Sequence, residues 1–389
     1  MTKIFFIFLL LISVSLISVS TVAASDMADE VIGIENIDQA NSDEVLGIEN
    51  LGQTNDDEVL GIDNLDQATA DVAIGEIDAG NLAADDTGDN VVSAPVSRKS
   101  TSSKKLSASQ PYAFKVLNQN IGTYTILNLY DDYAYYSDCD SDFEDGILID
   151  HNIIIEGNGH TIDARGYSRI FKIVRNDIDV VIKNLNLING WTRDIGGAAI
   201  FGNCTAINCT FNNNDFGYKG LGGAMYGGCA INCTFEDNNA DNYESVFSKG
   251  GAMFNGTAIG CIFRKNGAAK GGAVANCTVV NCIFEENLSG NWGGAMLGGY
   301  AKNCTFIRNY APMSGGGMDT EDAPLVAEDC TFIENKANVG AAFAKGTAIR
   351  CVFINNIAAD WGASAIQWGN ATNCIFNNDT VLETNILNA

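Results

Sequence analysis

The seven residues Asn208-Cys-Thr-Phe-Asn-Asn-Asn214 decide the fold, because variants of this stretch recur through the second half of the chain. A Cys-x-Phe unit occurs eight times, at separations of 21 to 28 residues. The cysteines of these units are Cys209, Cys233, Cys261, Cys282, Cys304, Cys330, Cys351 and Cys374. Repeats of this length are typical of solenoids, in which each repeat forms one coil of a stack.

The positions around each Cys predict how a coil is built. Cys and Phe face the same side of a strand, and a β-branched residue such as Thr210 stands between them. A small apolar residue such as Ala206 lies three positions before the Cys and also points inward, so a bend separates the two. Asn208 and its counterparts directly before the Cys suit a left-handed bend. We expect Asn214 and its counterparts to end the strand in the same way.

A second motif, Gly-Gly-Ala, indicates where the backbone of one coil runs close to the next or takes a positive φ. It occurs at 196–198, 222–224, 250–252, 271–273 and 293–295. The apolar runs 146–155, 157–163 and 171–187 predict irregular first coils, and residues 112–143 are expected to cap the stack. The sequence therefore predicts an all-β fold, a parallel β-helix of about 10–11 coils over residues 112–389.

The N-terminal part of the chain has a different composition. Residues 4–22 are apolar, and the small residues of Val22-Ala-Ala-Ser25 suit signal peptidase. This pattern predicts a signal peptide over residues 1–24, with an uncleaved membrane anchor as the alternative. Residues 25–92 carry an acidic 14-residue repeat (DEVLGIEN, for example) and predict a disordered spacer. Residues 93–111 form a basic, Ser-rich linker. We expect an exported protein, extracellular or on the cell surface, with no integral membrane domain beyond the N-terminal segment.

The charge of the chain is unevenly distributed. The 389 residues include 48 acidic and 22 basic side chains, which give a formal net charge of −26. This balance argues against a nucleic-acid partner, because duplex affinity comes mainly from Lys and Arg that neutralise phosphates. Residues 26–89 alone hold 19 acidic residues and no Lys or Arg, so most of the acidity belongs to the predicted spacer.

Two sets of motifs carry a resemblance to known families. The FxxN motif, as in Phe211–Asn214, together with Gly-Gly-Ala resembles the repeats of chlamydial polymorphic outer-membrane proteins. GNGHTIDARG, which begins at Gly157, followed by VIKNLNLING and NCTF coils, is more similar to adhesin-like surface proteins of methanogenic archaea. Both groups have the pectin-lyase-like, right-handed parallel β-helix. The resemblance, which covers about residues 115–389, implies that fold and a role as a surface adhesin.

The resemblance implies binding of carbohydrate or of another cell's surface through loops on one edge of the β-helix. The predicted partners are cell-surface glycans or proteins of another cell, and no cofactor other than Ca²⁺ is expected. The candidate ligand-binding residues are Tyr218, Tyr243, Trp292, Trp361, Asp319, Glu321 and Asp322. Aromatic rings beside polar groups suit sugars, although such rings can equally cover the edge of the solenoid.

A polysaccharide lyase or glycoside hydrolase of the same fold is the alternative, and a passive coat component without a ligand is the third possibility. Such enzymes need converging carboxylates, and no carboxylate cluster recurs at matching positions of neighbouring coils, so we predict no catalytic residues. The nearest approach is Asp138, Asp140 and Asp142, a Ca²⁺ candidate that lacks the Gly and Glu of an EF-hand. His160 and Asp163 are residue types that can form an acid–base pair, but the resemblance implies that both belong to a structural first coil.

The eight unit cysteines are expected to face inward in one column as mostly reduced thiols, because stacked equivalent side chains rarely give disulfide geometry. The cysteines outside the column could pair in an exported protein. These are Cys139, Cys204, Cys229 and Cys277. Glycosylation of Asn-x-Ser/Thr sites is expected only where the Asn lies in a looser segment, such as Asn255 or Asn287.

Overall fold

The repeats wind as a parallel β-solenoid of about eleven turns, which confirms the predicted fold class. The computed structural model describes residues 110–217, 220–240, 247–321, 323–359, 362–379 and 385–387. Strands of successive coils pair in parallel and lie in three sheets that run along the solenoid.

The first sheet contains the strand of each Cys-x-Phe unit and has twelve strands in the described residues. In stacking order they are β1 (Tyr112–Ala113), β3 (Tyr133–Ala134), β6 (Thr161–Asp163), β9 (Asn186–Ile188), β13 (Thr210–Asn212), β17 (Thr234–Glu236), β20 (Ile262–Arg264), β23 (Ile283–Glu285), β26 (Thr305–Ile307), β30 (Thr331–Ile333), β34 (Val352–Ile354) and β38 (Ile375–Asn377).

The second sheet contains the strands that precede each unit Cys, and twenty of its strands lie in the described residues. In chain order they are β2 (Ile126–Asn128), β4 (Ile147–Ile149), β5 (Ile153–Glu156), β7 (Phe171–Ile173), β8 (Val180–Lys183), β11 (Ile200–Phe201), β12 (Thr205–Ile207), β15 (Met225–Tyr226), β16 (Cys229–Ile231), β18 (Met253–Phe254), β19 (Thr257–Ile259), β22 (Val274–Val280), β25 (Met296–Lys302), β28 (Met318–Asp319), β29 (Leu325–Glu328), β32 (Phe343–Ala344), β33 (Thr347–Ile349), β36 (Ile366–Gln367), β37 (Asn370–Thr372) and β39 (Asn385–Leu387).

The third sheet follows each unit Asn and carries the candidate site. Its strands are β10 (Trp191–Thr192), β14 (Asp215–Phe216), β21 (Gly267–Lys270), β24 (Leu288–Trp292), β27 (Tyr310–Ser314), β31 (Lys336–Val339) and β35 (Ile357–Ala358). Single bridges at Asn239 join β14 to β21, so the two groups of strands form one continuous strip.

Inside the solenoid, equivalent residues of successive coils stack in columns. From Phe211 to Phe376, the rings of consecutive unit phenylalanines lie 4.5 to 5.2 Å apart and nearly parallel. The alanines three residues before the unit cysteines are fully buried, as is Val279 at the same position. The predicted inward positions of Cys, Phe and Ala are therefore confirmed.

The bends of each coil fall at left-handed residues, but one of them is not where the sequence suggested. Asn208 and even Arg350, which directly precede a unit Cys, have a φ of 52°, as predicted for that position. At the other end of the strand the left-handed residue lies four positions after the Cys, as at Asn213 (φ 52°) and Glu286 (φ 55°). The expectation that Asn214 and its counterparts make this bend is wrong.

The Asn five residues after the Cys is instead buried and bonded to the coils on both sides. Nδ2 of Asn287 donates to the carbonyl oxygen of Phe263 and to Oδ1 of Asn309, at 2.9 Å each. Its Oδ1 accepts from the backbone N and Nδ2 of Asn266, at 3.0 Å each. All polar groups of the side chain are thereby satisfied. We call this row the Asn ladder: Asn214, Asn238, Asn266, Asn287, Asn309, Asn335 and Asn356.

The glycine pairs have the two roles that their sequence predicts. Gly271 adopts a φ of 61°, which favours glycine. A Cβ on Gly272 would lie 2.2 Å from the carbonyl oxygen of Gly294 in the next coil, so only glycine allows this approach. The structural interpretation of the Gly-Gly-Ala motif is confirmed.

The N-terminal end of the core is closed by an eight-residue helix, α1 (Phe114–Ile121), which the sequence analysis did not predict. Its buried side chains are Phe114, Leu117 and Ile121. Asp140, which precedes a 3₁₀-helix (Ser141–Phe143), accepts hydrogen bonds from the backbone N of Phe114 and of Lys115, at 3.1 and 3.0 Å. The carboxylate thereby satisfies amides at the start of α1 that have no partner within the helix. Residues 112–143 therefore cap the core as expected, and they contact it through the buried side chains of helix α1.

The predicted signal peptide (1–24), acidic spacer (25–92) and all but the last two residues of the linker (93–111) lie outside the described residues. Those expectations stay predictions. Within the residues that the structure describes, no helix has the length and apolar character needed to cross a membrane.

The Asn ladder predicts a large loss of stability when one amide is removed. Asn287→Ala removes four buried hydrogen bonds, two from Asn266 to the Asn287 Oδ1 and two from the Asn287 Nδ2 to the Phe263 carbonyl and to Asn309 Oδ1. Each buried group that loses its partner costs about 1–3 kcal/mol. We expect the free energy of unfolding to fall by at least ~3 kcal/mol, measured by urea denaturation followed by circular dichroism.

Asn303→Gly is the matched control. It removes one exposed amide hydrogen bond, 2.8 Å long, at a left-handed bend that glycine can adopt. The free energy of unfolding of this variant should fall by less than ~1 kcal/mol. Equal losses for the two variants would show that the buried ladder does not hold the coils together.

The unit cysteines form the predicted column. Sγ of Cys233 lies 3.4 Å from the backbone N of Cys209 and 3.4 Å from the carbonyl oxygen of Ala206, and this pattern continues along the stack. All twelve cysteines of the described residues are free thiols, and only Cys139 is exposed. Burial raises the pKa of the Cys277 thiol to about 12.

This arrangement predicts selective alkylation of the native chain at pH 8. The thiolate is the reactive form, so Cys139 should react with iodoacetamide first and the buried thiols should stay unmodified until the chain is unfolded. Mass spectrometry should count twelve labels after denaturation, and Cys139→Ser should abolish the rapid native labelling. Fewer than eight labels on the denatured chain would contradict a reduced column.

Candidate functional site

One column on the third sheet brings charged and aromatic side chains together. Its members directly precede the glycine pairs of successive coils. In parallel register they are Lys249, Lys270, Trp292 and Ser314. Neighbouring members are about 4.8 Å apart along the solenoid. We use the term edge cluster for three side chains of this column and three that approach it: Lys249, Lys270, Trp292, Asp319, Glu321 and Lys345.

The indole of Trp292 is the centre of the edge cluster. It is partly exposed, and Nζ of Lys270 lies 4.6 Å from the ring centroid. Nζ of Lys345 lies 5.7 Å from the same centroid. Both distances are within the range of a cation–π interaction. The third sheet thus presents an aromatic ring with two cations beside it.

Glu321, which follows β28, forms ion pairs with lysines of earlier coils. Nζ of Lys249 donates to one carboxylate oxygen at 2.8 Å, and Nζ of Lys270 donates to the other. These lysines precede Glu321 by 72 and 51 residues, so the loop reaches back along the column. Partial burial acts to raise the pKa of Glu321, but the hydrogen bonds from the two lysines hold it below its usual range.

Asp319 occupies a different environment from the exposed loop that the sequence suggested. Its side chain is fully buried, and it accepts hydrogen bonds from the Ser314 hydroxyl and, at 2.7 Å, from the backbone N of Thr320. Burial raises the pKa of Asp319, although Ser314 and Lys345, whose Nζ is 3.3 Å away, act to lower it. The prediction that Asp319 contacts a ligand directly is therefore corrected. Asp319 lies beneath the surface and positions Lys345, which is partly exposed.

The structure brings together three of the predicted ligand-binding residues, namely Trp292, Asp319 and Glu321. The others lie outside the described residues and stay predictions: Tyr218, Tyr243, Trp361 and Asp322. The sequence analysis missed the three lysines. A signal was present for Lys249 and Lys270, because each directly precedes a glycine pair, as Trp292 does.

A groove of about 290 Å³ lies beside the first strands of the third sheet. Its side-chain lining comes from Asp163, Arg165, Asn189, Trp191, Asn213 and Asp215. Nδ2 of Asn213 donates to Oδ1 of Asn189 at 2.7 Å, and Nδ2 of Asn189 donates to Oδ1 of Asp163 at 2.8 Å. Trp191 pairs in register with Asp215. The groove combines two carboxylates, amides and an indole, a mixture that suits polar ring-shaped ligands.

The proposed pairing of His160 with Asp163 is wrong. Nδ1 of His160 lies 3.1 Å from Oδ1 of Asp132. Asp163 instead accepts hydrogen bonds from the backbone N of Arg165 and from Asn189. The two side chains of the expected acid–base pair therefore have separate partners.

The acidic run at 138–142 is explained by the helix cap. The carboxylate of Asp140 is buried and also accepts a hydrogen bond from the backbone N of Tyr136 at 2.9 Å, while Asp138 and Asp142 are exposed. In the parts of the chain that the structure describes, no group of three or more His, Cys, Asp or Glu side chains is arranged to hold a metal ion. These contacts give the Ca²⁺ candidate no support.

The two glycosylation candidates differ. Asn287 is buried in the Asn ladder, so the expectation that it accepts a glycan is wrong. Asn255 is exposed at a left-handed bend with a φ of 55°, and glycosylation there stays a prediction.

Comparison with protein-family models finds no match to this chain, and comparison with curated proteins finds none either.

Proposed function

We propose that this chain is an exported, adhesin-like surface protein that binds carbohydrate through the edge cluster. The observation that carries the proposal is the environment of Trp292, a partly exposed indole with Lys270 and Lys345 beside it. Sugar sites combine an aromatic ring, on which the apolar face of a sugar packs, with polar groups that bond its hydroxyls.

The rigidity of the third sheet favours binding. Lys270 and Trp292 are held in parallel register, and both residues precede glycine pairs that pack closely on the next coil. Side chains that are already ordered lose little conformational entropy when a ligand binds. A column with regular spacing along the solenoid also suits an extended ligand such as a polysaccharide.

The N-terminal sequence and the family resemblance support the surface role. The apolar residues 4–22 followed by VAAS favour export. The resemblance to adhesin-like proteins covers about residues 115–389, which include the whole edge cluster. The partners would be cell-surface glycans or glycosylated proteins of another cell.

Trp292→Ala should abolish most of the binding. The full chain, applied to a glycan array, is expected to retain a subset of glycans, and the variant should lose their signal at least tenfold because the stacking surface is gone. Tyr130→Ala is the control, since Tyr130 is 76 % exposed near the N-terminal end. An unchanged array pattern for Trp292→Ala would exclude the edge cluster as the site. No retained glycan at all would favour a passive coat component.

A second candidate function is cleavage of a polysaccharide, and the groove at the first coils is the observation that favours it. Asp163 and Asp215 line the groove together with Arg165 and Trp191. Glycoside hydrolases use two carboxylates around the scissile bond, one as an acid and one as a base or nucleophile. The groove, rather than the acidic run at 138–142, is therefore the place to test catalysis.

The enzymatic alternative predicts turnover that depends on the groove. Polysaccharides that the chain retains would be assayed for new reducing ends and for unsaturated products. If the chain is a hydrolase, Asp163→Asn and Asp215→Asn should each lower the rate by about 100-fold or more, while Asp142→Asn leaves it unchanged. Retention of glycans without product formation would reject cleavage and leave the binding proposal standing.

A further inference from the structure

The edge cluster holds a carboxylate in the place where an acidic ligand would put its own. Glu321 is bonded to Lys249 and Lys270, and the same Lys270 lies over the indole of Trp292. Two ammonium groups beside an aromatic ring are the elements that recognise a sugar ring bearing a carboxylate or sulfate. In this structure the chain itself supplies the anion.

Register shows that Glu321 comes from outside the column that it contacts. Lys249, Lys270 and Trp292 lie in successive coils, and Glu321 belongs to the loop after β28, in the next coil, which also contributes Ser314. Its carboxylate must pass the level of Trp292 to meet Lys270 and Lys249. The Glu321 side chain therefore covers the part of the column that a ligand would follow.

The contact of Glu321 is one that a ligand can replace. The Lys249 and Glu321 side chains are each 29 % exposed, so water and salt screen this ion pair and it contributes little to stability. The Lys270 side chain is 11 % exposed, and its pair with Glu321 opens to solvent on the carboxylate side. The other carboxylate of the cluster behaves differently. Asp319 is fully buried and bonded to Ser314 and Thr320, so it stays with Lys345.

We propose that the edge cluster binds anionic polysaccharides, and that Glu321 is an internal stand-in which the carboxylate or sulfate of the ligand displaces from Lys249 and Lys270. The inference rests on the proposed carbohydrate-binding function and names its ligand class. The ligand anion binds the two lysines, its sugar ring packs on Trp292, and the Glu321 side chain turns away from the lysines. Removal of the Glu321 charge leaves the lysines available and favours binding.

The test uses the full chain and an array of matched glycan pairs, one arm sulfated against unsulfated and the other uronate against carboxyl-reduced. Wild-type protein should retain the acidic member of a pair at least tenfold better than its neutral partner. Glu321→Gln keeps the shape of the side chain and should strengthen retention of acidic glycans about fivefold or more. Lys249→Met combined with Lys270→Met should remove the preference. Lys115→Met removes an exposed lysine on α1, away from the edge cluster, and as a control it should leave the preference unchanged.

Thermal melting of each variant checks that it is folded, and Glu321→Gln alone keeps the test decisive if the double lysine variant is not. Equal retention of acidic and neutral partners, still lost in Trp292→Ala, would overturn the anionic ligand class and leave the carbohydrate proposal intact. Weaker retention by Glu321→Gln would also overturn it, because Glu321 would then be a direct ligand contact. Failure of the wild-type chain to retain any glycan would defeat the proposed function itself. A preference confined to one arm of the array identifies the carboxylate or the sulfate as the recognised group.

Discussion

Seven successive coils of this solenoid each place one buried amide within hydrogen-bond distance of the amide of a neighbouring coil. An amide inside an apolar core costs free energy unless its donors and acceptors are paired. In the Asn ladder every partner belongs to a neighbouring coil, as Asn266, Asn287 and Asn309 illustrate. A slip of one residue in any coil would leave unpaired groups at two interfaces. The ladder thereby specifies the register of all three sheets more strictly than apolar stacking alone could.

A fixed register forces differences in coil length into the loops, and this is how the edge cluster is assembled. The separation of the repeated units varies from 21 to 28 residues, although the ladder positions stay aligned. Lys270 and Trp292 meet because the register places equivalent residues of successive coils side by side. Glu321 reaches them because its coil carries an inserted loop after β28. A site of this kind can change its loop side chains without any change in the core.

The features that the sequence predicts well are those decided within one coil. The inward Cys, Phe and Ala and the left-handed Asn208 position follow from local alternation and backbone preference. The role of Asn214 was missed because its hydrogen bonds run between coils, which a single repeat does not reveal. Helix α1 is only eight residues long and belongs to no repeat, so periodicity could not indicate it. In the edge cluster, Trp292 could be predicted from its residue type, whereas the contact of Lys249 with Glu321 spans 72 residues.

The net charge of −26 and a basic binding edge are compatible, because the two act over different distances. Exposed charges more than about 8 Å apart are largely screened at physiological ionic strength, so a bound ligand responds to the groups in contact with it. In the edge cluster three lysines face two carboxylates, and burial separates those two. Asp319 is fully buried and keeps its partners, while the Glu321 carboxylate and its partner Lys249 are each 29 % exposed. If the edge cluster binds an acidic glycan as proposed, its selectivity depends less on the total charge of the chain than on the carboxylate that the ligand can displace.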